Sequence, residues 1–238
     1  EAHSALGEAQ WRAGQPAPAV ASLHRAIAAA KRARATDVEA SALVVLVAVL
    51  GSDQARYAEA LQLAQLAEAA IGALGDDARL GKLLGNRGAI HVGRGDYAAA
   101  RADYQRSHEL LARAYGPDDR RVGQALINLA VVEVGTDHDA DALPLYGRAI
   151  ALLGHALGDH HPELARALNN RAVPLVNLGR LDEARADLGR ALAIRREVLG
   201  PDDRDTIDSL LLAAEVEHAA GHREAALAQF RAVLAARV

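Results

Sequence analysis

The chain of 238 residues contains no cysteine and no methionine. Without cysteine there can be no disulfide, no thiolate nucleophile and no cysteine-ligated zinc, and the chain suits a reducing, cytoplasmic setting. Aromatic residues are scarce: one Trp, five Tyr and one Phe. That is too few for a typical β-sandwich, whose strands favour them. Lysine occurs only as Lys31 and Lys82, and the 27 basic residues are outnumbered by 31 acidic ones. No basic excess exists to displace counterions from phosphates, so no nucleic-acid partner is expected. The longest apolar run, Ala42 to Leu50, is about half the ~18 residues a membrane span requires, so no membrane association is expected either. No secretory signal pattern is present. The absence of Met, with Glu at position 1, reads as a fragment of a longer protein.

What the chain has instead is alanine, at roughly a quarter of its residues, far above ordinary usage. Alanine is the best helix former, so composition alone points to an all-α fold. With 51% apolar and 24% charged residues of nearly balanced sign, the chain has enough to bury for an ordered core.

Internal periodicity is the strongest signal. Ala114-Tyr-Gly-Pro-Asp-Asp119, Ala156-Leu-Gly-Asp-His-His161 and Val198-Leu-Gly-Pro-Asp-Asp203 place Gly116, Gly158 and Gly200 at intervals of 42. Small residues recur at Gly7, Ala48, Gly88, Ala130, Ala172 and Ala214, spaced by 41, 40, 42, 42 and 42. Twelve residues after each stands an alanine: Ala19, Ala60, Ala100, Ala142, Ala184 and Ala226. Sixteen after each stands a mostly large residue: Leu23, Ala64, Tyr104, Tyr146, Leu188 and Phe230. Six copies of one unit therefore fill the chain, with approximate bounds 1–35, 36–75, 76–117, 118–159, 160–201 and 202–238.

Each copy reads as a helical hairpin. Leu126, Leu129, Ala130 and Glu133 recur at helical spacing until Gly135 and Asp137 break the helix. Ala142, Leu145, Tyr146, Ala149, Ile150 and Leu153 follow at the same period, and Gly158 ends the second helix. Asp118, Asp119, Asp202 and Asp203 precede new helices, where a carboxylate caps free N–H groups. Breaks between paired helices are expected near Gly14, Gly51, Gly93, Gly135, Gly179 and Gly221. A lone hairpin cannot cover its own apolar stripe, so the copies must stack, and the expected fold is a single α-solenoid of about six hairpins.

The pattern resembles the tetratricopeptide repeat, in the long variety of about 42 residues known from kinesin light chains. Leu168-Asn-Asn-Arg-Ala172, Leu178-Gly-Arg-Leu-Asp-Glu-Ala184, Arg190-Ala-Leu-Ala-Ile194, Leu199-Gly-Pro-Asp202 and Asp141-Ala-Leu-Pro-Leu-Tyr146 carry the likeness. Arg87 and Arg171, where the pattern usually has Leu, and Pro174, inside a first helix where Pro should kink it, depart from it. The resemblance implies a right-handed superhelical twist and a non-catalytic protein-interaction module. In the N-terminal half, Val49 to Ala60, Ala67-Glu-Ala-Ala-Ile71 and Leu74-Gly-Asp76 resemble the repeat extension of bacterial eukaryotic-like Ser/Thr protein kinases. That implies a kinase domain elsewhere in a bacterial signalling protein, since no kinase signature occurs here. Repeats of this kind also flank protease and transcriptional-regulator domains.

Solenoids bind on the concave face, which this family lines with the first helix of each hairpin. With Leu126, Leu129 and Ala130 set against the second helix, the opposite face holds Gln124, Ile127, Asn128, Val131 and Val134. The copy before contributes Lys82, Gly85, Asn86, Ala89 and Val92; the copy after contributes Arg166, Asn169, Asn170, Val173 and Val176. Amides can both donate to and accept from an extended backbone, so Asn86, Asn128 and Asn170 suit a bound protein or peptide ligand. The alternative is that they hydrogen-bond between repeats. Arg79, Lys82, Arg121 and Arg166 favour an acidic and apolar ligand. Self-association through terminal repeats, around Leu227, Phe230, Val233 and Leu234, is the rival expectation.

His155, His160 and His161 lack a second spaced pair, so no metal and no cofactor is expected, and capping is the natural role of that turn. No nucleophile motif occurs, so no enzymatic activity is expected. One further expectation uses the copies as their own control. Arg87 and Arg171 occupy an interior position, and the two copies that carry them are the two with aspartate sixteen residues later, Asp103 and Asp187. Other copies pair Val47 with Leu63 and Leu129 with Leu145. An interior charge must be compensated, so Arg87–Asp103 and Arg171–Asp187 are expected to be ion pairs within their hairpins.

Overall fold

The structure is a computed structural model and describes residues 2–236. Among these residues there are twelve α-helices and no strand: α1 (Ala2–Arg12), α2 (Pro16–Ala33), α3 (Thr36–Ala48), α4 (Tyr57–Gly72), α5 (Asp77–Gly93), α6 (Tyr97–Tyr115), α7 (Arg120–Gly135), α8 (Asp139–Leu157), α9 (Pro162–Asn177), α10 (Leu181–Val198), α11 (Arg204–Ala219) and α12 (Arg223–Ala236). A π-helical turn, Val49–Asp53, extends α3. Odd and even helices pair as six hairpins, with α1–α6 in one compact unit and α7–α12 in another. The all-α repeat fold is thus as expected.

Cap chemistry sets the helix starts. Asp76 and Asp96 accept from the backbone N–H of Arg79 (2.8 Å) and Ala99 (3.1 Å). Asp119 and Asp203 accept from those of Arg121 (2.8 Å) and Asp205 (2.9 Å). Each satisfies a donor that the helix itself leaves free. In the copy that has His161 in place of aspartate, the imidazole accepts from Glu163 N–H at 3.1 Å, so this histidine caps α9. The turn between paired helices usually needs a left-handed residue. Gly14, Gly95, Gly179 and Gly221 supply it, but Ala55 (φ 50) and Asp137 (φ 60) do so in the second and fourth hairpins.

The repeated small and large residues are the contact between paired helices. All six alanines from Ala19 to Ala226 are buried, as are Ala130, Ala172 and Ala214. A Cβ on Gly88 would lie 2.5 Å from Tyr104 Cε1, and one on Gly7 would lie 2.7 Å from Leu23 Cγ. The backbone of the first helix is therefore pressed on the large residue sixteen positions later, an approach that only glycine permits there. Tyr146 fills the equivalent place in the fourth hairpin and is 1% exposed; burial raises its phenol well above the usual value.

In the first unit α3 is apolar on every side, and Ala42 through Leu50 are all buried. It packs against α2, α4 and α5 and touches α1, which explains the nine-residue apolar run without any membrane. The π-helical turn ends where Arg56 N–H donates to Leu50 C=O at 2.9 Å. In the second unit α9 runs on past Pro174 to Asn177, and that proline is buried. Leu175, Leu188, Leu192, Leu210 and Val216 make the core of its last two hairpins.

Both expected ion pairs are present and bidentate. Arg87 Nε and Nη2 donate to the two Asp103 oxygens at 2.7 Å each. Arg171 Nε and Nη2 do the same to Asp187 at 2.7 Å each. They tie α5 to α6 and α9 to α10. Arg87 also donates from Nη1 to Glu68 of α4 at 2.7 Å, a tie to the preceding hairpin that the sequence did not indicate. The Asp103 hydrogen bond outweighs burial and raises the Arg87 guanidinium above its ordinary value.

Two outcomes follow from this packing, both read by equilibrium chemical denaturation. Tyr146→Ala should cost about 3 kcal/mol, because it empties the space between two helices. A cost near zero would mean that Tyr146 does not fill the hairpin. Asp187→Ala should cost about 3 kcal/mol by stranding Arg171, while Arg171→Leu combined with Asp187→Leu should recover most of the loss. A double variant no better than the single one would exclude a charge-compensation role.

Candidate functional site

The outward face of the odd-numbered helices is where the ten candidate residues were expected, and the structure divides them into three groups. The first group is engaged between repeats. Asn86 Nδ2 of α5 donates to Val44 C=O of α3 at 3.1 Å. Asn169 Oδ1 of α9 accepts from Ser209 Oγ of α11 at 2.7 Å. Gln124 Oε1 of α7 accepts from Arg166 of α9, and Gln124 Nε2 donates to Asn128 Oδ1 at 3.0 Å. Each bond from one odd helix to the next joins residues about one repeat apart, so part of the amide ladder sews neighbouring hairpins together.

The second group is buried. Ile127 was expected on the floor of the groove, but it is 1% exposed and belongs to the core. The physical reason is its register. Its counterpart one repeat later, Asn169, points towards the next odd helix, so this position faces a neighbour rather than open space. The third group is open. Lys82 is exposed on α5, Val131 is half-buried on α7, and α9 presents half-buried Asn170 and exposed Val173.

The open strip is best developed on α9. Asn170 and Val173 lie three residues apart, hence on one face. Asn170 makes no side-chain hydrogen bond among the described residues. Pro174 has no N–H, so the Asn170 carbonyl, four residues earlier, loses its usual helical donor. One short stretch thus presents an amide donor and acceptor and an apolar side chain, while the freed Asn170 carbonyl is directed at the buried Pro174. Half-buried Val131 and Val134 of α7 and Leu211 and Leu212 of α11 continue the apolar character on the helices before and after α9. In the first unit the matching positions on α3 (Val45, Leu46 and Val49) are buried, so that stretch offers no open strip.

Charge on these helices is locally compensated in several places. Arg79 pairs with Asp76 at 3.5 Å and Arg121 with Asp119 at 3.0 Å. His160 Nδ1 lies 2.8 Å from Glu197 Oε2. Among the described residues no group of three or more His, Cys, Asp or Glu is placed to hold a metal ion. Among the described residues no helix is long and apolar enough to cross a membrane. Sequence reasoning missed a polar cluster in the last two hairpins. Glu217 of α11 accepts from Arg185 Nε of α10 at 2.8 Å and lies 2.7 Å from His222 Nδ1. Burial pushes its carboxyl up, but the hydrogen bonds from His222 and Arg185 and the Arg185 charge outweigh that and hold it below the usual range.

Comparison with known proteins agrees with this architecture. The tetratricopeptide repeat family profile matches residues 79–154 and 163–237, more than half of the chain. The chain belongs to the tetratricopeptide repeat family. Among solved structures it is similar to BtubC (BKLC) from P. vanneervenii, with a TM-score of 0.81 and 20% identity over 92% of this chain and 89% of that one. It is also similar to a putative kinesin light chain from Podosopora anserina with nearly identical TPR-like repeats, with a TM-score of 0.68 and 16% identity over 82% and 93%. A third is YrrB, a TPR protein with an unusual peptide-binding site, with a TM-score of 0.55 and 19% identity over 89% and 92%. No curated protein matches the chain in sequence.

Asn86 and Asn170, two of the three asparagines at equivalent positions, thus have different tasks. Asn86→Ala should lower stability by about 1 kcal/mol through loss of the bond to Val44, and Asn170→Ala should leave it unchanged. Thermal melts of the two variants check this, and equal melting points would erase the distinction.

Proposed function

We propose that the chain is a non-catalytic protein-interaction module that binds an extended peptide or partner segment along the odd-helix face of α7, α9 and α11. The observation that carries this reading is the open strip on α9. Asn170 offers a half-buried, unengaged amide, and Val173 is 37% exposed beside it. An extended backbone needs partners for its own amides, since an unmet one costs about 1–3 kcal/mol. An apolar side chain next to such partners gives a side-chain subsite. That YrrB, of the same fold, has a peptide-binding site supports the reading by analogy.

The setting we propose is a larger cytoplasmic bacterial signalling protein, such as a Ser/Thr kinase. Its support is the resemblance of Val49 to Ala60 and of Leu74-Gly-Asp76 to the repeat extensions of those enzymes. A full-length reading frame lacking a kinase domain would overturn that setting and leave the peptide reading intact.

A second reading is favoured by α12, where Leu227 is 54% and Leu234 is 67% exposed. They lie seven residues apart, on one face, and suit self-association of the terminal hairpin. Light scattering across a concentration series reads this directly.

For the peptide reading, a random peptide library should yield binders to the wild-type protein. Val173→Asp combined with Asn170→Ala should weaken them by roughly tenfold or more while the melting point stays within a few degrees. Binders indifferent to this double variant would place the interaction elsewhere, and the absence of binders would overturn the reading.

A further inference from the structure

Arg195 is a buried arginine without an acid. It belongs to α10, is 6% exposed, and makes no ion pair among the described residues. Its Nη1 donates to the backbone carbonyl of Asp205 at 2.6 Å and to Ser209 Oγ, both on α11. Both acceptors are neutral, so they orient the guanidinium without cancelling its charge. Nε and Nη2 have no protein acceptor among the described residues.

The surroundings are polar where the sister copy is apolar. One repeat earlier, the positions of Arg195, Thr206 and Ser209 are held by Leu153, Leu164 and Ala167, each fully buried. Three apolar residues have been exchanged together. Thr206, three residues before Ser209 and on the same face of α11, is itself fully buried, and its hydroxyl has no partner. A buried hydroxyl without a partner is costly, and Thr206 directly follows Asp205, whose carbonyl accepts from Arg195.

The cluster reaches the odd-helix face. Ser209 Oγ donates to Asn169 Oδ1 at 2.7 Å, and one turn before Asn169 on α9 stands exposed Arg166. Burial pulls the Arg195 guanidinium below its ordinary value, and Arg166 pulls in the same direction. Asp205 in the first turn of α11, Asp208 beyond it and the capping Asp203 oppose this but do not outweigh it. None of the three carboxylates reaches Arg195 within ion-pair distance.

We propose that Arg195, with Thr206 and Ser209, is an oxyanion-binding site at the seam of α9, α10 and α11. The free Nε and Nη2 edge of a guanidinium matches two oxygens of a carboxylate or phosphate, the Thr206 hydroxyl is a further donor, and Ser209, whose proton goes to Asn169, orients Arg195. The oxyanion is either the side chain of an acidic residue in a bound peptide or a free inorganic anion. The first case rests on the peptide reading above and names one residue class in that peptide; the second does not depend on it.

Two experiments on the intact chain separate these. Inorganic phosphate is titrated at constant ionic strength while the Arg195 Nε–H resonance is followed by NMR. A saturable shift, absent in Arg195→Leu, is the expected result for a site open to free anions. In the second, peptides selected from a library with a fixed Glu are remade with Gln. A tenfold or greater loss for Gln, matched by the same loss for the Glu peptide against Arg195→Leu and a smaller one against Thr206→Val, assigns the oxyanion to the partner. Arg195→Leu restores the residue of the sister copy, so it should fold. The wild-type NMR titration stands even if it does not. Absence of any peptide binder with a saturable phosphate shift defeats the peptide reading and leaves the oxyanion site. Binders that ignore both changes, together with no phosphate shift, overturn the site.

Discussion

Close approach of the two helices in a hairpin is the constraint on which the rest of the structure depends. An alanine-rich helix offers little apolar area per residue, so burial has to come from short interhelical distances. Glycine or alanine at one position and a large residue sixteen later achieve this. Gly88 against Tyr104 and Gly7 against Leu23 show it in its tightest form, where no Cβ fits. Once that distance is fixed, each hairpin exposes apolar flanks that only another hairpin can cover, and repetition follows. Polar ties across the seams, such as Asn86 to Val44 and Arg87 to Glu68, then fix how successive hairpins meet.

The fold was legible in the sequence because the determinants of a repeat are themselves repeated. A period of 42, the alanines twelve residues on and the aspartates before α7 and α11 could be read without knowing what any of them touched. The Arg–Asp pairs were legible for the same reason: comparing six copies is comparing six answers to one packing problem. The face that binds was less legible. Helical geometry put Ile127, Asn128 and Asn169 on one side, but a helix in a stack has neighbours on both flanks. A position 100° from the core edge can meet the next hairpin instead of solvent. Ile127 is buried there, and Asn169 is engaged there. The tie from Arg87 to Glu68 and the Glu217 cluster left no periodic trace, because each occurs in one copy only.

The same comparison sharpens what a polar exchange at an interior position means. Where Arg87 and Arg171 replace an apolar residue, an aspartate has appeared across the hairpin, and the pair closes on itself with both carboxylate oxygens engaged. Such an exchange keeps its charge in balance, and the hairpin remains a structural unit.

Arg195 is an exchange of the other sort. Its neighbours became polar with it, but they became Thr206 and Ser209, not an acid. A purely structural substitution would be expected to restore neutrality, as it did twice elsewhere in this chain. Neither hydroxyl can do that: Ser209 accepts from Arg195 and donates to Asn169, and only the Thr206 hydroxyl is left without a partner. The acids that are near, Asp203, Asp205 and Asp208, stand at the start of α11, where the helix dipole favours negative charge, and Asp203 is already used as the cap. Their placement is explained without Arg195, and although their charges favour its guanidinium none of them closes an ion pair with it among the described residues. One chain therefore holds both a compensated and an uncompensated version of the same leucine-to-arginine change, and the second is the one that has a use outside the fold.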